Sequence, residues 1–391
     1  MKRKAVWVPL LNTALRPWAG ESRGRSGVPI SRLEERARAL EKTARQVDPE
    51  FLGGMAMVWD AFATAENVSP LGRLALRQDI VRRLAIRLRM QQKSARWSDA
   101  VTAQPIHRPV FVVGLPRSGT TLLHRLLADA PALRAPRLYE LNDPRPRGTD
   151  EARRIRRAHR IAQTTHALAP AMRAMHPLDA RSPEECSFLL PHGLFHHTRV
   201  RVPGYLRWLE SRDFTEDYRY FGHQLRFIDT GTPSRWVVKC PSHLWALEAI
   251  LSAYPDATVV WVHRSPQTSL PSWCSLTETT MGLHTDRVDL ALLGQDWLRI
   301  WSQATARATA ARQKADSERF IDVSYRDLVA DPAGTAAQVL ARLGMDHRPH
   351  VPARDRRTPD HLYTLERYGL DSASTHRAFA DYLASTGNAA D

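Results

Sequence analysis

Residues 110–123 read VFVVGLPRSGTTLL. A short β-branched run ends at Gly114, and helical periodicity begins after Gly119. The pattern predicts a buried strand, a glycine turn and a helix N-terminus. Backbone N–H groups converge at such a turn with the positive end of the helix dipole, which makes an anion site. Small residues allow the backbone to approach a phosphate closely. Ser118 and Gly119 keep the turn small, Thr120 and Thr121 add hydroxyl donors, and Arg117 adds a charged fork. Gly114 and Gly119 have the spacing of the G-x-x-x-x-G-K-[ST] loop, with Thr121 in the Ser/Thr place and Thr120 where the lysine belongs. In nucleoside-triphosphate enzymes that lysine reaches the β- and γ-phosphates. Its absence argues against a kinase or ATPase, and no Asp closes the strand TVVWV as a Walker-B site would require. The loop suits a shorter anhydride with less charge and no essential metal.

Three further apolar runs precede helical patterns: RWVVK (235–239), ATVVWVHR (257–264) and RFIDVSY (319–325). After the last, DPAGTAAQVLARLG predicts a helix closed by Gly344. Short continuous apolar strands alternating with helices imply an α/β fold, a P-loop-like parallel sheet flanked by helices. Ligands then lie at the carboxyl ends of the strands. Residues 145–232 carry few strand signals and are expected as a helical insertion on the acceptor side of an α/β domain spanning 106–391. The first 105 residues are expected as a helical extension or cap. It holds a charged helix over 31–48 and an amphipathic one over 70–95, packed on the main domain.

Lys239 ends RWVVK, a compact charge at a strand end, in a chain with six lysines against fifty arginines. Arg264 follows ATVVWVH, where a guanidinium suits bidentate phosphate recognition. Together these segments resemble the sulfotransferases that use 3′-phosphoadenosine 5′-phosphosulfate (PAPS), and most of all the bacterial PRSGTTLL group and the tyrosylprotein sulfotransferases. FVVGLPRSGTTLL is similar to that family's 5′-phosphosulfate loop. VVWVHRSPQTSLPSW is similar to its 3′-phosphate motif, with Arg264 and Ser272 in the two matching places. DVSYRDLVADP is similar to its Tyr-x-Asp-Leu segment near the nucleotide, carried by Tyr325. The three matches run in order over about residues 108–345, and the first hundred residues carry none.

The resemblance implies that Lys239 acts at the bridging and sulfuryl oxygens while the bond breaks. It also implies a general base, for which Glu140 in APRLYELNDP corresponds in position to the tyrosylprotein-type base. Many cytosolic members use a His two residues after the strand-end lysine; Pro241 stands there, and His243 is the reserve candidate. Glu184 and Glu185 are expected to serve structure at a helix start, and His192, His196 and His197 to be scattered surface histidines.

The chain has 391 residues, 43% hydrophobic and 25% charged, a globular profile. No apolar run is long enough for a membrane span, and Asn12, Arg16 and Pro17 interrupt the only N-terminal stretch that could serve as a signal core. Three widely spaced cysteines argue against a disulfide framework or zinc site and fit a reducing cytoplasm. The net charge of +15 is read mainly as arginine bias, so no nucleic-acid partner is expected. The expectation is a metal-independent, cytoplasmic sulfotransferase that uses PAPS on the hydroxyl of a small-molecule, glycan or lipid acceptor. A divergent P-loop kinase or NTPase, or a non-catalytic polyanion-binding protein, are the competing classes. The sequence leaves the acceptor and the oligomeric state open.

Overall fold

A computed structural model describes residues 3–19, 28–94, 106–229, 235–351 and 363–386. Five strands form one parallel sheet: β1 (Val110–Gly114), β2 (Leu133–Arg134), β3 (Arg235–Lys239), β4 (Thr258–His263) and β5 (Phe320–Ser324). Their order is β2-β3-β1-β4-β5. The register sets Val112 beside Lys239 on one side and Val260 on the other. The chain leaves β1 toward β2 and β3, and later returns to β4 and β5 on the opposite flank. β1 therefore stands where the connections diverge, and the crevice at its carboxyl end is the expected ligand position.

Strand alternation divides two cores across the sheet. Phe111, Val113, Trp236, Val238, Val259 and Trp261 face the larger one. Val110, Val112, Val237, Val260 and Val262 face the smaller, closed by the helices Thr120–Leu127 and Pro332–Arg342. The last of these ends as expected: Gly344 is left-handed at φ +80, and Met345 N–H donates to Leu340 O at 2.8 Å.

Three strands and β1 lie where the apolar runs predict them, while β2 has no such signal. Its two residues hold the sheet edge through pairing with Arg235 and Trp236. Between β2 and β3 the chain builds helices Glu151–Leu168, Pro203–Glu210 and Thr215–Ile228. The expected end of this insertion at 232 and the expected boundary at 105 lie outside the described residues.

Helix Pro70–Ser94 differs from the expected one-sided amphipath. Residues from Ile80 to Met90 are buried around most of its circumference, because helices Val8–Ala19, Ile30–Glu41 and Pro49–Thr64 pack around it. Its arginines are accommodated by ion pairs. Arg83 binds Asp79 at 2.9 Å, and Arg89 binds both Glu41 and Asp143. Side chains of these N-terminal helices, such as Leu33, Phe51 and Leu84, belong to the same core as Phe111 and Trp236. No described helix is long and apolar enough to cross a membrane.

Candidate active site

The turn after β1 is tightly built. Gly119 takes φ +83, and Arg117 takes φ +70, strained for a residue with a side chain. A Cβ on Gly114 would stand 2.5 Å from Val262 O, and one on Gly119 would stand 3.1 Å from the Tyr325 ring. Ser118 is fully buried and turns its hydroxyl inward to Leu115 O at 2.6 Å. It therefore shapes the loop from behind. Helix Thr120–Leu127 begins at Gly119, so its first amides have no carbonyl one turn back to accept them. They point at the β1 crevice with the helix dipole behind them.

Lys239 is 1% exposed at the end of β3. Its Nζ donates to Thr121 Oγ1 at 3.0 Å and to Glu185 Oε1 at 2.6 Å. The missing lysine of the loop is thus replaced in space by one from the neighbouring strand. Thr120, at the loop position itself, is buried and uncharged.

Arg264, Ser272 and Tyr325 all meet the same loop. The Arg264 guanidinium donates to Arg117 O and lies 3.9 Å over the Tyr325 ring. Ser272 Oγ accepts from Arg117 Nε at 3.3 Å, and Arg117 also donates to Met175 O at 2.7 Å. Burial lowers the pKa of both guanidiniums, and their mutual proximity lowers that of Arg117 further. Neither forms a salt bridge with a carboxylate among the described residues. Two half-hidden cations without a counter-ion, beside free helix amides, fit a ligand with two separated anionic groups.

On the other side of Lys239 lies a cavity of about 400 Å³. Glu185, His176, Cys240 and Ser242 are among its polar lining, with Asp79, Arg199 and His284. Leu71, Ile161, Met172, Phe188, Trp273 and Leu276 supply apolar wall. The two glutamates do more than begin a helix. Glu185 faces Lys239, and Glu184 accepts from His176 Nε2 at 3.1 Å. Burial opposes charge on both members of that pair, yet each holds the other ionised: Glu184 is drawn down to about 2, and His176 is raised above its ordinary value. His176, Glu184 and Glu185 also come close enough to share an ion, but their charges are already matched by each other and by Lys239.

The two base candidates stand elsewhere. Glu140 is 4% exposed in the short helix Leu138–Asn142. One carboxylate oxygen accepts from Arg134 at 2.6 Å and the other from Arg137 N–H at 2.9 Å. Arg134 in turn stacks 4.5 Å over Trp236 and pairs with Asp229. His243 is fully buried, edge-on to Phe111, with Nδ1 2.7 Å from the Tyr218 hydroxyl. Burial and then Lys239 push its pKa down to about 3. Neither side chain lines the cavity.

His192, His196 and His197 are buried rather than on the surface. They have separate partners: Asp217 for His192, Pro191 O for His196, and Asp296 with Val202 N–H for His197. Sequence reasoning took them for surface groups because HH beside Phe and Gly has no periodicity from which burial can be read. It also passed over His176, whose side chain is bonded to Glu184 eight residues on.

Residues 109–349 match the sulfotransferase family. Over 294 residues the chain is 25% identical to the omega-hydroxy-beta-dihydromenaquinone-9 sulfotransferase Stf3 of Mycobacterium bovis, covering 70% of this chain and 72% of that protein. The same values hold for Stf3 of Mycobacterium tuberculosis. The crystal structure of the sulfotransferase STF1 from Mycobacterium tuberculosis is 31% identical, with a TM-score of 0.78, over 91% of this chain and 99% of that one. STF9 from Mycobacterium avium, 23% identical, shares the fold with a TM-score of 0.81 over 93% of this chain and 98% of that one. The chain belongs to the sulfotransferase family. It is an enzyme that transfers a sulfuryl group to a hydroxyl, and the donor that goes with the family is PAPS.

Proposed function

We propose that this sulfotransferase works across Lys239, with the donor on the loop side and an elongated apolar alcohol in the cavity. The observation that carries this is the pair of contacts made by one ammonium, to Thr121 of the loop and to Glu185 of the cavity wall. When bound, PAPS supplies an activated sulfuryl group on a phosphate leaving group. Arg117, Ser118, Gly119, Thr120 and Thr121 form the cradle for its 5′ end. Arg264 and Ser272 hold its 3′-phosphate, and Tyr325 keeps Arg264 in place by lying under it. Lys239 is placed to follow charge that develops on oxygen during transfer, where a preorganised cation in a dry site acts most strongly.

The acceptor proton needs a base at the junction. Glu184 and Glu185 both line the cavity; Glu184 is held by His176, and Glu185 is the one that faces Lys239. It can take the acceptor proton there as general base, with Lys239 beside it at the transferring oxygens. Glu140 then serves through Arg134, as a positioning group for the β2–β3 edge, and His243 through packing. A Glu140→Gln variant decides between the two carboxylates. A loss of turnover equal to that of Glu185→Gln, with an unchanged melting temperature, would return the base to Glu140.

An apolar acceptor is supported by the cavity walls and by the menaquinone-derived substrate in the name of the Stf3 relatives. Helix Pro70–Ser94 and the stretch between β2 and β3 supply much of the wall, together with helix Pro266–His284, so that N-terminal helix and the 145–232 insertion are assigned to the acceptor side. No metal has a part in this scheme, and activity is expected to survive chelation. Three unpaired, buried cysteines suit a reducing cytoplasm. The test is a screen of long-chain alcohols, hydroxylated isoprenoids, phenols and sugars with labelled PAPS, read by mass spectrometry for an added sulfuryl group. Label on the apolar alcohols supports the assignment; label confined to sugars overturns it.

A further inference from the structure

The wall of the cavity reaches the surface at helix Glu151–Leu168. Ile161 both lines the cavity and is 42% exposed, and Thr165 and Leu168 line it one and two turns later. Beside them runs the N-terminal segment. Ala5 N–H donates to Leu168 O at 2.9 Å, and Asn12 Oδ1 accepts from the N–H of Leu71, another wall residue. This segment carries Val6, Trp7 and Leu10, exposed by 69%, 44% and 74%. With Ile161 they make up four of the seven large apolar side chains exposed among the described residues. Val6 and Trp7 directly follow Ala5, which is bonded to the helix that carries Ile161, so the four are grouped, whereas isolated exposed apolar residues scatter.

The same surface is basic. Arg153, Arg156, Arg157 and Arg160 of helix Glu151–Leu168 are exposed, and none is in a salt bridge among the described residues. At helical spacing Arg157 precedes Ile161 by four residues and Arg153 by eight, on its side of the helix, and Arg160 adjoins Arg157 one turn on. Arg16 on the neighbouring helix Val8–Ala19 is exposed as well. Apolar residues for insertion, ringed by unpaired arginines, are what binding in the plane of an anionic lipid surface requires.

We propose that this face docks on an anionic membrane and opens the acceptor cavity directly to the lipid phase. An apolar alcohol would then pass from bilayer to cavity without crossing water. The purpose assigned to the surface rests on the apolar-acceptor reading, but the surface itself does not. The experiment therefore measures binding, and the two ideas fail separately.

The full chain is sedimented with vesicles of mixed phosphatidylcholine and phosphatidylglycerol, and with phosphatidylcholine alone. Binding is expected for the mixed vesicles. Trp7→Ser with Leu10→Ser, and separately Arg157→Glu with Arg160→Glu, should each weaken it at least about tenfold. Melting temperature and affinity for 3′-phosphoadenosine 5′-phosphate should stay unchanged in both. The control pair Arg108→Glu with Arg348→Glu is exposed near the amino-terminal end of the sheet, away from the site at its carboxyl end, and should bind as the parent does. Equal losses in the control pair would mean that net charge alone drives binding, and no binding by the parent would mean there is no docking face. Either result overturns the proposal.

Discussion

The two sides of Lys239 are built by different means. On the donor side the loop after β1, the carboxyl ends of β4 and β5 and the first turns of helix Pro266–His284 supply the groups, and the chain positions them through backbone geometry. On the acceptor side the wall is gathered from segments between Leu71 and Trp301, positioned only by packing. A site made from a strand–turn–helix unit tolerates little change, because Gly114 and Gly119 have no room for a side chain. A site made from packed helices can alter its shape by substitution and keep the fold. The first design suits a donor shared by a whole family, and the second suits an acceptor that differs from member to member.

Lys239 touches both sides, so its removal is expected to have the largest effect. Lys239→Ala should lower turnover about 100- to 1000-fold, while affinity for the bisphosphate product, read by calorimetry, changes less than tenfold. Comparable losses in both would place Lys239 in binding alone. Arg264→Ala is the donor-side test. Losing a charged hydrogen-bond partner should weaken bisphosphate binding about 10- to 100-fold and leave the apparent KM for acceptor within about twofold. The acceptor-side counterpart is Thr165→Trp, which fills the cavity near its opening. It should raise acceptor KM about tenfold with bisphosphate affinity intact. If either substitution moved both constants together, the division at Lys239 would fail.

The smallest expected effect concerns stability. Each side has a neutral histidine shielded from water: His124, buried in the helix after the loop, and His284, half-buried on the cavity wall. Burial, then Lys239 for His124 and Arg199 for His284, pushes them down to about 3 and about 4. The folded values lie below the unfolded one, so the unfolded chain takes up protons first as pH falls. The stability these groups contribute is complete above about pH 6.5 and is lost below it, each at about 1.4 kcal/mol per pH unit until its folded pKa is reached. Denaturation between pH 7 and pH 5 checks this. His124→Leu and His284→Leu should each flatten the slope by one proton's worth, and a parent slope of zero would contradict the account.

The donor side was legible in the sequence because local order carries it. Val110–Gly114, Lys239 and Arg264 each follow a run of apolar residues that can only be a buried strand, and strand ends aim side chains at the crevice. β2 was not legible, since two residues have no periodicity and owe their strand to β3 beside them. Glu140 shows a different limit. Its place in the chain suggested chemistry, but side-chain direction is set by Arg134 and the amide of Arg137, which no spacing rule reveals. Glu185 shows the opposite limit: sequence gives it only a structural place at a helix start, because its partner Lys239 is 54 residues away. The buried histidines 192, 196 and 197 were misjudged because burial of a polar ring depends on partners such as Asp217 and Asp296 that fold against it from afar.

The central claim is that the loop, Arg264 and Lys239 make one site for a donor with two separated anionic groups. Calorimetric titration of the parent protein with 3′-phosphoadenosine 5′-phosphate, in the presence of a chelator, tests it most directly. The account predicts one-to-one binding without metal, much weaker binding of adenosine 5′-phosphate, and near-parental binding by Lys239→Ala. Binding of ATP with Mg²⁺ in place of the bisphosphate, by folded protein, would contradict it.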